Sequence, residues 1–77
     1  MKIQVLGTGC SKCKQLTASV EKAVAELGLG VPVEKVEEIR EIMKFKVMST
    51  PALVVDGQVR SAGKVLTPEE VKAYLKG

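Results

Sequence analysis

The chain has 77 residues, of which 45% are hydrophobic and 3% aromatic, and its formal net charge is +3. The hydrophobic share is too large for a disordered chain, and the length suits one domain over residues 1–77. Mixed charges and scarce aromatic side chains do not favour nucleic-acid binding. No apolar run approaches the roughly 20 residues that cross a bilayer, so we expect no membrane association. We also expect no signal peptide and a cytoplasmic location.

Hydrophobic spacing predicts a strand over residues 2–6 and then a helix over residues 11–27. The strand is rich in aliphatic residues and stops at Gly7, whereas the helix repeats apolar residues every three or four positions. Apolar residues then alternate over residues 31–36, which predicts a second strand. Because proline cannot donate a ladder hydrogen bond, Pro32 indicates that this strand lies at an edge of the sheet.

A short helix over residues 37–46 and a β-hairpin are predicted next. We expect the apolar side chains of this helix to turn inward, namely Ile39, Ile42, Met43 and Phe45. The hairpin joins strands over residues 52–55 and 58–62 through Asp56 and Gly57. Asp-Gly between two apolar runs is a strong hairpin signal, because both turn residues tolerate a positive φ.

The last predicted element is a helix that begins near Thr67. Thr67 and Glu70 have the spacing of a capping box, and Pro68 between them suits the first helical position. The complete order is strand–helix–strand–helix–strand–strand–helix. The sequence therefore predicts a small α/β fold of order βαβαββα.

Two cysteines, Cys10 and Cys13, lie where the first strand passes into the first helix. A thiolate at a helix N-terminus faces unpaired N–H groups and the positive end of the helix dipole, which lowers a thiol pKa below about 8.5. Lys12 and Lys14 add positive charge. We expect Cys10 to be the exposed, more acidic thiol and Cys13, on the apolar stripe, to be buried. This pair suits disulfide exchange, in which Cys10 attacks and Cys13 then releases the target.

Two neighbouring features bear on the same chemistry. Gly7 and Gly9 lack side chains, so we expect another chain to approach the sulfur closely there. Ser49, Thr50 and Pro51 directly precede the hairpin. Taken alone, this proline indicates only the start of a strand, where a missing N–H costs little.

With these residues, the chain resembles the thioredoxin/glutaredoxin-like superfamily, in particular the small prokaryotic redox-active disulfide proteins. The resemblance rests on the glycine-rich CxxC segment at residues 7–13, the Thr-Pro hairpin segment at residues 49–57 and Gly63. It implies a minimal thioredoxin fold, in which a central four-stranded mixed sheet is flanked by three helices, and a thiol-disulfide oxidoreductase without cofactor or metal. The implied partners are disulfide-containing proteins and a reductase. Because such a protein must present Cys10 to a partner, we also expect a monomer.

The resemblance also implies roles for single residues. Cys10 would attack and Cys13 would resolve the mixed disulfide. Pro51 would follow a cis peptide bond and exclude metal from the dithiol, while the backbone of Thr50 would pair with the substrate. No acidic residue lies in the first strand, and the sequence assigns no proton acceptor to Cys13. The other residues expected to support or contact the substrate are Gly9, Ser11 and Lys12.

Two alternatives to the redox function remain, a metal-binding protein and a binding module. A copper chaperone of the heavy-metal-associated type also carries CxxC after its first strand, and two thiolates suit the soft ion Cu(I). That fold ends in a strand, however, and has methionine where this chain has Thr8. A structural zinc site requires four ligands, whereas the chain has two cysteines and no histidine. The second alternative is a binding module that keeps the fold without the redox role.

Overall fold

The computed structural model describes residues 2–9, 11–47 and 49–76. Within these ranges the chain forms four strands and three helices. Their bounds are β1 Ile3–Leu6, α1 Ser11–Leu27, β2 Val33–Val36, α2 Ile39–Lys44, β3 Ala52–Val55, β4 Gln58–Ala62 and α3 Pro68–Lys76. This order confirms the predicted βαβαββα arrangement. None of the helices in the described part of the chain is long and apolar enough to cross a membrane.

The strands form one mixed sheet in the order β2-β1-β3-β4. β1 pairs in parallel with β2, with Ile3 opposite Val33 and Leu6 opposite Val36. β3 is antiparallel to both β1 and β4. The central strand β3 is buried at every residue because both faces of the sheet are covered. β2 lies at an edge, as Pro32 indicated.

Side chains of the two central strands alternate between two hydrophobic clusters, one on each face of the sheet. The larger cluster lies under α1 and α3 and receives Ile3, Val5, Leu53 and Val55 from the sheet. The smaller cluster lies under α2 and consists of Leu6, Ile42, Ala52 and Val54. Because strand side chains alternate with a period of two, consecutive residues of β1 serve opposite faces.

α1 places one apolar stripe on the sheet and ends where its sequence predicts. Gly28 follows the helix with a φ of +64°. The N–H of Leu29 donates to the carbonyl of Val24 at 3.2 Å, and the N–H of Gly28 donates to Ala25 at 3.2 Å. These bonds form a Schellman motif, in which a left-handed glycine satisfies the last carbonyls of the helix.

The hairpin turn has the predicted geometry. Asp56 and Gly57 have φ values of +52° and +80°, as a type I′ turn requires. The turn is also bound to the start of β1, because the N–H of Asp56 donates to the carbonyl of Lys2 at 2.7 Å. The N–H of Lys2 in return donates to the Asp56 carboxylate at 2.8 Å. The two hydrogen bonds between Asp56 and Lys2 therefore hold the turn, and with it the end of β3, beside the start of β1.

α2 is shorter than predicted, and of the four residues expected to turn inward, Ile42 and Phe45 pack on the smaller cluster whereas the other two do not. The predicted helix spanned residues 37–46, whereas Glu38 is the N-cap and Phe45 the C-cap of the observed helix. Ile39 is 62% exposed and Met43 is 68% exposed, so the expectation that they pack inward is wrong. The physical reason is length: a helix of 6 residues turns one narrow stripe toward the sheet, and Ile42 fills it.

α3 begins with the predicted capping box. The Thr67 N–H donates to the Glu70 carboxylate at 3.1 Å, and the Glu70 N–H donates to the Thr67 hydroxyl at 3.2 Å. Val71 and Leu75 are buried against the larger cluster. Tyr74, on the same helix, is 37% exposed. The box fixes where α3 starts and thereby which residues face α1.

Replacing Thr67 with alanine removes the side-chain acceptor of this capping box. We expect Thr67→Ala to lower the free energy of unfolding by about 1 kcal/mol, as loss of such a cap typically does. Urea unfolding followed by circular dichroism measures the change. Glu69→Gln serves as the control, because it alters the same turn but keeps the box. An unchanged unfolding midpoint in Thr67→Ala would contradict the assigned cap.

An ion pair joins α1 to α3 at the surface, where the ammonium of Lys72 donates to the carboxylate of Glu26. The hydrogen bond from Lys72, and then its positive charge, hold the pKa of Glu26 below its ordinary value of 4.5. A depressed folded-state pKa stabilises the fold above the unfolded-state pKa. This contribution is lost as the pH falls through the folded-state pKa.

Glu26→Gln should therefore lower stability at neutral pH and have little effect in strong acid. Urea unfolding of the variant and the native chain, at neutral pH and below the ordinary carboxyl range, measures both differences. Glu21→Gln, at an exposed position of the same helix, is the matched control. If the gap between Glu26→Gln and the native chain persisted in acid, the charge would not be its cause.

Candidate functional site

Cys13 lies in the first turn of α1, directly after the bend at residues 7–9. Gly9 has a φ of +87°, which glycine adopts without steric cost, so the chain can turn there from β1 toward the helix. The Cys13 side chain is 5% exposed. Its carbonyl accepts a hydrogen bond of 2.9 Å from the Thr17 hydroxyl, one helical turn later. Cys10, the predicted attacking thiol, lies outside the described residues.

Gly7 provides the space that the Cys13 sulfur occupies. A Cβ atom at position 7 would overlap Sγ of Cys13 and would lie 3.1 Å from its Cβ. The N–H of Gly7 donates to the carbonyl of Val36 at 2.9 Å, which fixes the glycine at the end of β1. Gly7 is buried, so the expectation that it admits another chain is wrong; the side chain it admits belongs to Cys13.

Pro51 also lies close to this point. The Thr50–Pro51 peptide bond is cis. An ideal Cβ on Gly7 would lie 4.0 Å from Cα of Pro51, so the proline backbone approaches the same space beside Gly7 that the Cys13 sulfur occupies. Pro51 is buried, and its carbonyl accepts the N–H of Gly63 at 2.9 Å. The fold thus brings the segment before the hairpin to the start of α1.

The other predicted contact residues surround this centre at the surface. Ser11 and Lys12 are exposed in the first turn of α1, and Thr50 is exposed directly before Pro51. Gly9 is exposed as well. All are accessible to a partner molecule, whereas Cys13 and Pro51 are not.

A pocket of about 80 Å³ opens beside the Cys13 side chain. Its walls come from β1, the bend, α1 and the end of β2. They consist of Val5, Gly7, Gly9, Cys13, Lys14, Thr17, Lys35 and Glu37. The charged groups among these wall residues are two ammonium groups and one carboxylate, so the thiol shares its pocket with charges of both signs.

Lys35 and Glu37 are the charged pocket residues that the sequence analysis did not assign to the site. Glu37 had been placed in the predicted short helix, whereas it lies between the end of β2 and α2. The strand register explains its position: Leu6 pairs with Val36, so the residues that follow them, Gly7 and Glu37, lie side by side where the two strands end. The carboxyl ends of parallel strands lie at the same end of a sheet, and this rule is the sequence signal that could have placed Glu37 near the site.

Comparison with known proteins agrees with this architecture. A family model described as a thioredoxin domain matches residues 1–76. The thioredoxin of Methanothermobacter thermautotrophicus is 40% identical over 75 residues, which cover 97% of each chain. The thioredoxin of Methanocaldococcus jannaschii is 40% identical over 74 residues, covering 96% of this chain and 85% of that protein.

The chain belongs to the thioredoxin family. This membership confirms the resemblance drawn from residues 7–13 and 49–57, and with it the small α/β thioredoxin fold. The copper-chaperone alternative is not favoured, since the thioredoxin-domain match extends over nearly the whole chain. Within residues 2–9, 11–47 and 49–76, no three side chains of the metal-binding types His, Cys, Asp and Glu lie together.

The contact between Gly7 and Cys13 can be tested by adding one methyl group. We expect Gly7→Ala to destabilise the fold by about 1–3 kcal/mol, because the methyl group overlaps the sulfur in a packed interior. Denaturant unfolding of the reduced protein measures this loss.

The matched control combines Gly7→Ala with Cys13→Ala, which removes the sulfur. Because the shortest overlap then disappears, the two substitutions together should cost less than the sum of their separate effects. Strict additivity would show that the methyl group clashes elsewhere.

Proposed function

We propose that the chain is a protein-disulfide oxidoreductase in which Cys10 and Cys13 form the redox-active pair. The proposal rests chiefly on the placement of the Cys13 sulfur, which is buried in the first turn of α1 against Gly7. Family membership supports it, because both relatives carry the name thioredoxin. A sulfur held in one place beside a helix N-terminus suits thiol–disulfide exchange.

The proposed reaction has two exchange steps. The Cys10 thiolate attacks one sulfur of a substrate disulfide, forming a mixed disulfide and releasing the first substrate thiolate. The Cys13 thiolate then attacks the sulfur of Cys10 and releases the second substrate thiolate. The substrate gains two electrons, and the chain is left with a Cys10–Cys13 disulfide. A reductase of unassigned identity returns both electrons.

Burial supports the division of roles between the two cysteines. A protein substrate cannot bring its disulfide to a side chain that is 5% exposed, so Cys13 is suited to an attack within its own molecule. Cys10 precedes Cys13 by three residues in the sequence, and residues three apart are neighbours on a helix, so we expect the two sulfurs to be able to bond. The N-terminal end of α1 favours a thiolate electrostatically.

The surrounding residues would receive the substrate. Thr50 is exposed beside the buried Pro51, where its backbone can pair with an extended substrate segment. Pro51 would exclude metal ions by occupying the space near the sulfurs. Gly9, Ser11 and Lys12 are exposed around the same end of α1 and would contact the partner. We expect a monomer, because the site must stay open to protein partners. We also expect it to act in the cytoplasm.

The redox equilibrium of the two cysteines tests this function directly. In graded dithiothreitol or glutathione buffers, thiol labelling and mass spectrometry should show a reversible two-electron transition. In the reduced protein, Cys10 should be alkylated at least about tenfold faster than Cys13, because thiolate character and exposure control cysteine reactivity.

Cys13→Ser is the matched control for the second step. It should retain the attack by Cys10 and accumulate the mixed disulfide, since no resolving thiolate remains. If the native chain formed no intramolecular disulfide under mild oxidation, the oxidoreductase proposal would fail. The binding-module alternative, which keeps the fold without the redox role, would then be favoured.

A further inference from the structure

The resolving step requires Cys13 to lose a proton. Only the thiolate is a competent nucleophile, and burial disfavours the charged form of a thiol. Cys13 is 5% exposed, so bulk water has little direct access to its sulfur. The resolving cysteine therefore needs a proton acceptor within its own pocket.

Three charged side chains line this pocket: Lys14 from α1, Lys35 from β2 and Glu37 from the segment after β2. A protonated lysine has only donors, whereas an ionised carboxylate has only acceptor positions. The hydroxyl of Thr17 already donates to the carbonyl of Cys13. Among the described groups around the pocket, Glu37 is therefore the one suited to accept a proton.

The backbone holds Glu37 beside the cysteine. Its neighbour Val36 accepts the N–H of Gly7, and Gly7 is the residue against which the Cys13 sulfur packs. The Glu37 carboxylate oxygen lies 3.2 Å from the position that a Cβ on Gly9 would take. The carboxylate thus lies beside Gly9 and the sulfur beside Gly7, two residues of the same bend.

The size of the pocket allows proton transfer through water. Its volume is about 80 Å³. A cavity needs roughly 10–15 Å³ of such space to hold one water molecule, given polar partners for it. Glu37 is itself exposed, so a proton that it accepts can pass on to the solvent.

We propose that Glu37 accepts the proton of the Cys13 thiol, through water in this pocket, during the resolving step. The proposal rests on the oxidoreductase function proposed above. The S–H bond of Cys13 breaks, and its electron pair forms the bond to the sulfur of Cys10. The bond from Cys10 to the substrate sulfur breaks and leaves its electron pair on the substrate thiolate. The proton moves to Glu37.

A purely electrostatic role for Glu37 would have the opposite effect. A negative charge near a thiol disfavours the thiolate, whereas the ammonium groups of Lys14 and Lys35 favour it. Removing the charge at position 37 would then promote the Cys13 thiolate and accelerate resolution. If Glu37 is instead the proton acceptor, removing its carboxylate slows the attack of Cys13 on Cys10. The direction of the rate change separates the two roles.

The test follows the reaction of the reduced full chain with dithiobis(nitrobenzoate), which releases one coloured thiolate at each step. The first phase reports attack by Cys10, and the second, independent of reagent concentration, reports attack by Cys13. In Glu37→Gln we expect an unchanged first phase and a second phase about tenfold slower near neutral pH. The difference should vanish at high pH, where the thiol ionises without help.

Two variants complete the design. Glu38→Gln removes the adjacent exposed carboxylate, which does not line the pocket, and should leave both phases unchanged. Glu37→Asp keeps a proton acceptor and should restore most of the native rate of the second phase. If Glu37→Gln misfolds and shows no first phase, Glu37→Asp provides the test. A second phase with the native pH profile in Glu37→Asp would support the role of Glu37, and a changed profile would overturn it.

Each remaining outcome overturns a specific claim. A first phase followed by an unchanged or faster second phase in Glu37→Gln would overturn the role of Glu37 while leaving the oxidoreductase proposal intact. A slowing that was the same at every pH would overturn it too, because it would indicate a structural defect. Absence of both phases in the native chain would overturn the proposed function and, with it, the role of Glu37.

Discussion

The structure depends on the absence of a side chain at Gly7. The Cys13 sulfur fills the space that a Cβ atom there would take, and the backbone of Pro51 lies close to the same point. The start of α1 and the distant segment before the hairpin can meet here only because position 7 has no side chain. Interiors are packed too closely for a methyl group to be added without displacing a neighbour.

Both faces of the sheet are covered by helices, and the site therefore lies beyond the ends of the strands. β1 sends Val5 toward α1 and Leu6 toward α2, so neither face is left uncovered where the strand ends. Beyond Leu6 the chain leaves the sheet, and its backbone N–H at Gly7 still pairs with Val36. This hydrogen bond ties Gly7, which packs on the Cys13 sulfur, to the residue directly before Glu37.

Local signals allowed most of the fold to be predicted, whereas the charged part of the site depends on long-range register. The turn at Asp56 needs only two adjacent residues that tolerate a positive φ, and the capping box at Thr67 completes its hydrogen bonds within three residues, so the sequence alone identifies both. α2 was predicted too long because its apolar spacing does not reveal that Ile42 fills the available surface. Lys35 and Glu37 reach the pocket only through the pairing of β1 with β2, which no local pattern encodes.

The charged residues that line the Cys13 pocket are consequently placed there mainly by the fold, and none of them is part of the CxxC motif. Lys14 comes from the helix that carries the cysteine, whereas Lys35 comes from the strand paired with β1, and Glu37 directly follows that strand. A change in the register of β2 would move the last two without altering the motif. Because nearby charges and burial set the balance between thiol, thiolate and disulfide, two chains with the same four motif residues can differ widely in redox behaviour. The edge strand β2 is thus the element through which sequence variation outside the motif can tune the cysteine pair.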